Sequence, residues 1–309
     1  MLTLEPIFAG VETGGTKILC KVVDRAGVTL AQARFATEGP LAAVEAIASC
    51  VASALTASRR LAGVGVASFG PIALDARAAD YGRMLATPKP HWSGFDLHGA
   101  LARRLDAPIV LDTDVNAAAL AEQQMGAGRG FQTVAYVTIG TGIGAGLAIG
   151  GRTLRGAMHP EMGHVRLQRR DGDGLPSACP YHADCAEGLS AGPAIRRRLG
   201  EGVGLQARAD VFALVSDYLA QLCETIVLAW SPQRLILGGG VMDTPGLRAS
   251  VHEGLRRRIQ VYGPQSAVAA DGYLAAPQLE HAGLEGALWM ARRLGADPPD
   301  GSGPAAHRP

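Results

Sequence analysis

Apolar positions in the first 150 residues come in short runs broken by glycine. Residues 7–11 (IFAGV) and 18–23 (ILCKVV) are such runs, joined by ETGGTK, which predicts two strands turning at Gly14-Gly15. Small and apolar residues at helical spacing predict a helix over 41–61. A buried strand is expected at 63–67 (GVGVA), then Pro- and Gly-rich loops in SFGPIALD and ATPKPHWSGF. A helix over 96–105, a strand at 109–111 running into DTDVN, and a helix over 117–125 complete this half.

From Thr133 the opening pattern recurs. VAYVTIG, a glycine turn and GIGAGLAIGG repeat the strand–turn–strand unit about 127 residues further on. One unit used twice predicts two similar domains. Residues 131–151 carry no charge over a length that would span a bilayer. Their glycines, three threonines and lack of a continuous aliphatic run instead predict two buried strands. An irregular stretch over 152–191 follows, carrying the closely spaced His and Cys residues at 159, 164, 179, 182 and 185. A long amphipathic helix is expected over 209–229, with Leu214, Tyr218, Leu222 and Ile226 on one stripe. A strand over 234–237 leads into Gly238-Gly239-Gly240, and a last helix covers 284–293. The tail at 297–309 (DPPDGSGPAAHRP) reads as disordered.

Composition narrows the classes. The 309 residues are 48% hydrophobic and 18% charged, with 41 glycines, enough to bury a sizeable core. With 29 basic and 28 acidic residues the net charge is +1, which argues against a nucleic-acid or anionic-membrane surface. The N-terminus shows neither the basic nor the apolar region of a secretory signal. Five cysteines, an odd number in a chain of this size, predict free thiols and a cytoplasmic home.

Four motifs carry candidate chemistry. In ETGGTK the threonine precedes the lysine and a strand follows, so it is no P-loop. Its turn exposes successive N–H groups for phosphate oxygens, with Thr16 and Lys17 adding a hydroxyl and a charge. GTGIGAG matches the dinucleotide fingerprint at Gly140, Gly142 and Ala145, but lacks the helix that fingerprint needs. Two phosphate cradles in a duplicated chain suggest a nucleotide clamped between two domains, with the Gly238–Gly240 turn on the nucleoside. In DTDVN, either Asp112 or Asp114 is placed to take the proton from an attacking hydroxyl, and one of the two is equally suited to cap the next helix. His164, Cys179, His182 and Cys185, the last three as C-x-x-H-x-x-C, match a closed structural zinc site. His159 is the second choice to His164. Cys20, Cys50 and Cys223 read as core residues, Trp92 as packing or ligand stacking, and Arg196–Arg198 as a solvated helix face.

ETGGTK, ASFGP, TPKPHW, DVNAAA, IGTGIGAG, HPEMGH, CPYHADCAEG and LILGGGV occur in this order. Together they resemble the ROK (repressor, open reading frame, kinase) sugar kinases, and the bacterial fructokinases among them, over about 7–290. The resemblance implies an actin-like, ribonuclease-H-like α/β fold of two similar domains around a cleft: 1–116 joined by a helix at 280–295, and 117–279 with a zinc loop at 159–190. It implies ATP with Mg²⁺ as phosphate donor, a hexose acceptor (for fructose the 6-hydroxyl), structural Zn²⁺ and a homodimer. Asp114 would be the base. Gly14, Gly15, Thr16, Lys17, Thr141 and Gly142 would meet the phosphates, and Gly238 and Gly239 the nucleoside. Glu161 and Glu187 would hold sugar hydroxyls, with Asn116 and Gly70 nearby, and His164, Cys179, His182 and Cys185 the zinc. Many ROK glucokinases have Asp where Glu12 stands. Glu12, TPKPHW and the His of the zinc loop tilt the resemblance toward fructokinase, with mannose, glucose and N-acetyl-hexosamines as the other sugars. The family's DNA-binding regulators carry a helix-turn-helix ahead of GGTK, and only about a dozen residues precede it here.

Overall fold

The structure is a computed structural model that describes residues 4–294. The expectation for 297–309 lies outside the described residues. The chain forms two compact units, one built from the residues up to Asp112 with those from Leu284 onward, the other from Thr113–Gly283.

The first unit holds strands β1 (Glu5–Thr13), β2 (Lys17–Val23), β3 (Thr29–Ala36), β4 (Arg59–Ser68) and β5 (Ile109–Thr113), in the order β3-β2-β1-β4-β5. β1 is antiparallel to β2 and parallel to β4. Side chains alternate across a strand, and β1 feeds a core on each face. Ile7, Ala9 and Val11 join the cluster that buries Ile47 and Val51 of α1 (Pro40–Ala52) and Leu97 and Leu101 of α2 (Leu97–Ala102). Phe8 turns the other way, onto Leu288 and Ala291. The helix that covers this second face, α9 (Ala282–Leu294), lies so close that a side chain on Gly65 would strike the backbone of Ala287.

The second unit repeats the plan with β6 (Thr133–Ile139), β7 (Ile143–Ile149), β8 (Arg152–Thr153), β9 (Arg234–Gly238) and β10 (Leu274–Ala275), in the order β10-β9-β6-β7-β8. β6 is antiparallel to β7 and parallel to β9, as β1 is to β2 and β4. One face carries α3 (Asp114–Met125). The helices α4 (Ala186–Ser190), α5 (Gly192–Leu199), α6 (Ala209–Trp230), α7 (Leu247–Ile259) and α8 (Gln265–Ala269) complete the unit. α6 is apolar and long enough to cross a membrane, but Tyr218, Leu222 and Ile226 of its expected stripe are buried with Val215 in the core of this unit, while Leu214 packs against that core only partly buried.

Two expectations need correction, and one strand has no counterpart in the sequence reading. The helix expected over 41–61 ends at Ala52: Ser53, Thr56 and Ser58 bond their hydroxyls locally, and Arg59, Arg60 and Leu61 pair with Glu5, Pro6 and Ile7. β3, an edge strand with only half its side chains covered, was not anticipated. Nor is 196–198 a solvated face throughout: Arg198 is 6% exposed and ion-paired with Asp173 at 2.8 Å. Trp92 proves to be packing, fully buried with its ring edge-on to Phe69.

Candidate active site and metal centre

In the first unit the β1–β2 turn closes with Gly14 N–H donating to Lys17 C=O at 2.9 Å. Thr37 braces it, its hydroxyl donating to Gly14 C=O (2.8 Å) and its N–H to Thr16 C=O (3.1 Å). Gly15 and Thr16 are exposed at the tip. Glu12, one turn-length earlier, accepts the Leu284 N–H at 3.0 Å and so holds the first turn of α9. Gly70 follows Phe69, whose N–H donates to Thr13 C=O at 2.9 Å. Lys89 of TPKPHW stands 5.4 Å from the centre of the Phe69 ring, and burial pulls its ammonium below the usual lysine range.

The corresponding turn of the second unit joins β6 to β7. Gly140 N–H donates to Gly142 C=O at 2.9 Å, leaving Thr141 exposed. Ile143 N–H donates to the Glu187 carboxylate at 3.0 Å, and that carboxylate lies against Gly142. The Gly238-Gly239 turn abuts the same joint. Gly239 has φ +88°, and a side chain there would strike the backbone of Ile139. Just beyond it opens a cavity of about 550 Å³, lined by Asp243, Thr244, Gly246, Arg248 and His252 among others.

Asp112 and Asp114 now separate. Asp112 is fully buried, whereas Asp114 is half-buried as the first residue of α3. The capping role expected of one aspartate falls to Thr113, whose hydroxyl accepts the Asn116 N–H at 3.1 Å. Asn116 is fully buried, its carboxamide accepting from Leu147 N–H and donating to Leu154 C=O, both at 3.4 Å.

The four expected metal ligands converge because two short backbone pairings fold the irregular loop on itself. Leu167 N–H donates to Asp184 C=O and Ala186 N–H to Val165 C=O, which sets His164 beside Cys185. Ala178 N–H donates to Gly188 C=O, which brings in Cys179. The ligand atoms all lie within 4.8 Å of one another. Cys179 Sγ is 3.8 Å from His164 Nδ1 and 3.6 Å from His182 Nδ1, and Cys185 Sγ is 3.7 Å from His164 Nδ1. Tetrahedral zinc, with bonds of about 2.3 Å to sulfur and about 2.0 Å to nitrogen, sets S···N near 3.6 Å, so the donor set fits. Burial chiefly, and the Cys179 thiol beside it, push the Cys185 thiol up to about 11, a cost that a bound cation relieves. His159, the second choice, is not in this cluster; its ring is buried with Nδ1 3.5 Å from Glu161.

The metal loop is continuous with the two carboxylates. Cys185 Sγ accepts the Gly188 N–H at 3.3 Å, capping the helix that carries Glu187, and His164 N–H donates to Glu161 C=O at 2.9 Å. Partial burial, reinforced by the Glu187 charge, raises the Glu161 carboxyl to about 7. Sequence reasoning missed Asp173, Arg198 and Tyr218, which meet behind the loop, and Glu122. Glu122 is fully buried, accepting N–H groups from Ala127, Gln278 and Leu279. Nothing in the local sequence marks any of them, since the partners that define their roles (Asp173 with Arg198 and Tyr218, Glu122 with Gln278 and Leu279) are distant.

One five-stranded topology built twice, with a glycine hairpin at the same joint each time, is the architecture of the actin-like phosphotransferases. The ROK family model matches residues 8–294, and the chain belongs to that family. It is 35% identical over 291 residues to a putative fructokinase of Bacillus subtilis (strain 168), covering 93% of this chain and 96% of that one. It is 38% identical over 250 residues to the fructokinase of Zymomonas mobilis, covering 79% and 83% of the two chains. The crystal structure of a ROK glucokinase from Streptomyces griseus, in complex with glucose and AMPPNP, aligns with a TM-score of 0.72 at 29% identity, covering 93% and 99%.

Proposed function

We propose that this chain is an ATP-dependent fructokinase, transferring the γ-phosphoryl group to the 6-hydroxyl of D-fructose. The observation that carries this reading is a half-buried carboxylate, Asp114, in the unit that also holds the glycine hairpin and the Glu161–Glu187 pair. The relatives named fructokinase, at 35% and 38% identity, stand nearer than the glucokinase of known structure at 29%.

Asp114 acts as the base. As the 6-hydroxyl oxygen forms its bond to the γ-phosphorus, the hydroxyl proton passes to the Asp114 carboxylate. The bond from that phosphorus to the bridging oxygen breaks, and ADP leaves. In the first unit Gly14, Gly15, Thr16 and Lys17 meet the phosphates, which arrive as the magnesium complex, and Gly70 lies by the sugar. In the second, Thr141 and Gly142 meet the phosphates and Gly238 and Gly239 the nucleoside. Glu161 and Glu187 accept hydrogen bonds from sugar hydroxyls, and Asn116 holds the β7 backbone behind them. His164, Cys179, His182 and Cys185 hold a zinc ion that takes no part at the reacting atoms; it neutralises two thiolates and fixes the loop bearing the carboxylates. Five unpaired cysteines fit a reducing, cytoplasmic setting, and the assembly is a homodimer.

A coupled ADP-release assay over fructose, mannose, glucose and N-acetyl-hexosamines tests this. Fructose should give the highest kcat/KM. A higher value for another hexose reassigns the acceptor, and ADP release that no sugar stimulates ends the kinase reading.

A further inference from the structure

A bound metal would tie the loop only where its ligands stand, at His164 and over 179–185. The fourteen residues between, 165–178, form no helix or strand among the described residues, yet the ligand cluster requires this arc to keep one path. Its backbone polar groups must find partners elsewhere: Leu167 and Ala178 pair along the loop, Gln168 with Gln221 of α6, and the turn around Asp173 through one side-chain cluster.

Asp173 is 5% exposed and Arg198 6%, and the Arg198 guanidinium donates to the Asp173 carboxylate at 2.8 Å. Tyr218, fully buried on α6, donates its hydroxyl to the same oxygen at 2.6 Å and accepts the Arg170 N–H at 3.2 Å. Arg198 also donates to the carbonyls of Leu189 on α4 (2.9 Å) and Ala194 on α5 (3.1 Å). From within the arc, Arg169 donates to the carbonyls of Asp173 (3.0 Å), Leu175 (2.9 Å) and Ala183 (2.7 Å), the last of these lying between two ligands. One carboxylate thus joins α6, the helix pair α4–α5 that carries Glu187, and the arc between the first ligand and the rest.

We propose that Asp173, gripped by Arg198 and Tyr218, is a positioning residue for the metal loop: it holds the arc in the shape that presents the four ligands and, through them, Glu187. The arrangement places ligands before any metal arrives, so less order has to be gained on binding and the loop reopens more slowly. Asp173 touches neither the ligands nor the reacting groups; it acts through them. This rests on the metal and hexose assignments above.

The test uses the full chain with Asp173→Asn and, as a milder change, Tyr218→Phe, which deletes one hydroxyl and keeps the ring. Metal content of the wild type is measured first. Metal release is then followed with a chromophoric zinc chelator, alongside the KM values for fructose and ATP. Zinc release about tenfold faster is expected in either variant that folds, with the fructose KM raised by a similar factor. The ATP KM should rise by a smaller factor, through the Glu187 bond to Ile143 alone. Wild-type release rates in a folded variant, or equal rises in both KM values, overturn the proposal. A wild type without metal defeats the metal assignment separately. The fructose-to-ATP split then decides alone, a larger rise in the fructose KM than in the ATP KM supporting the positioning role and equal rises refuting it.

Discussion

Glu187 is expected to serve the nucleotide as well as the sugar, and two substitutions separate the roles. Its carboxylate accepts the Ile143 N–H at 3.0 Å, at the first residue of β7, and leans on Gly142. Ile143 is 4% exposed, so Glu187→Ala leaves this N–H with little access to water. Losing a hydrogen bond to a charged group costs about 1.5–3 kcal/mol, roughly a factor of 10 to 150 on any state that needs the turn ordered. Glu187→Gln keeps an acceptor oxygen on the same stem and should cost about 1 kcal/mol or less there. The alanine variant should therefore bind ADP at least about tenfold more weakly in calorimetric titration without sugar. The glutamine variant should bind ADP nearly as the wild type does, while its fructose KM rises. Removing the Glu187 charge also removes one of the two causes that raise Glu161, so the Glu161 carboxyl should move back toward the ordinary range. Wild-type ADP affinity in Glu187→Ala, with only the fructose KM changed, would refute the reasoning and leave the bond to Ile143 without consequence.

Other expectations follow from the same geometry. Asp114→Asn should lower kcat by about 10²–10⁴ while ADP still binds, and undiminished turnover removes Asp114 as the base. Metal analysis should find one zinc per chain, and prolonged chelation should raise the fructose KM before it abolishes folding; a metal-free, fully active preparation contradicts this. Burial alone would push the Asp173 carboxyl up, but the Tyr218 hydroxyl and the Arg198 guanidinium outweigh it and hold it below the usual carboxylate range. The native state then binds fewer protons than the unfolded one. That share of stability is whole above the unfolded pKa and is lost as pH falls through the folded value. The fall in Tm between about pH 5 and pH 2 should be gentler in Asp173→Asn than in the wild type, and equal slopes count against the pairing.

Much of this molecule could be read along the chain, because the informative signals were local. Both glycine hairpins follow from apolar runs of strand length around Gly14-Gly15 and Gly140–Gly142, and the structure pairs them in the expected antiparallel sense. C-x-x-H-x-x-C places three ligands within seven residues, so no distant folding was needed to suspect a metal, only to find that His164 rather than His159 closes the cluster. Where a partner lay far off, local pattern failed. Helical spacing beyond Ala52 was overridden by pairing with β1, more than fifty residues away. Arg198 reads as surface along the chain because its ion-pair partner Asp173 lies 25 residues before it. Asp112 and Asp114 are equivalent as letters, and only burial within the folded sheet hides one and leaves the other open. Periodicity records which face of an element is apolar and so set the elements, while the short Cys/His spacing set the metal motif. Which buried charge meets which depends on contacts closed across long stretches of chain, and so the orientation of Glu187, the burial that sets Asp112 apart from Asp114 and the clasp around Asp173 belong to the tertiary structure alone.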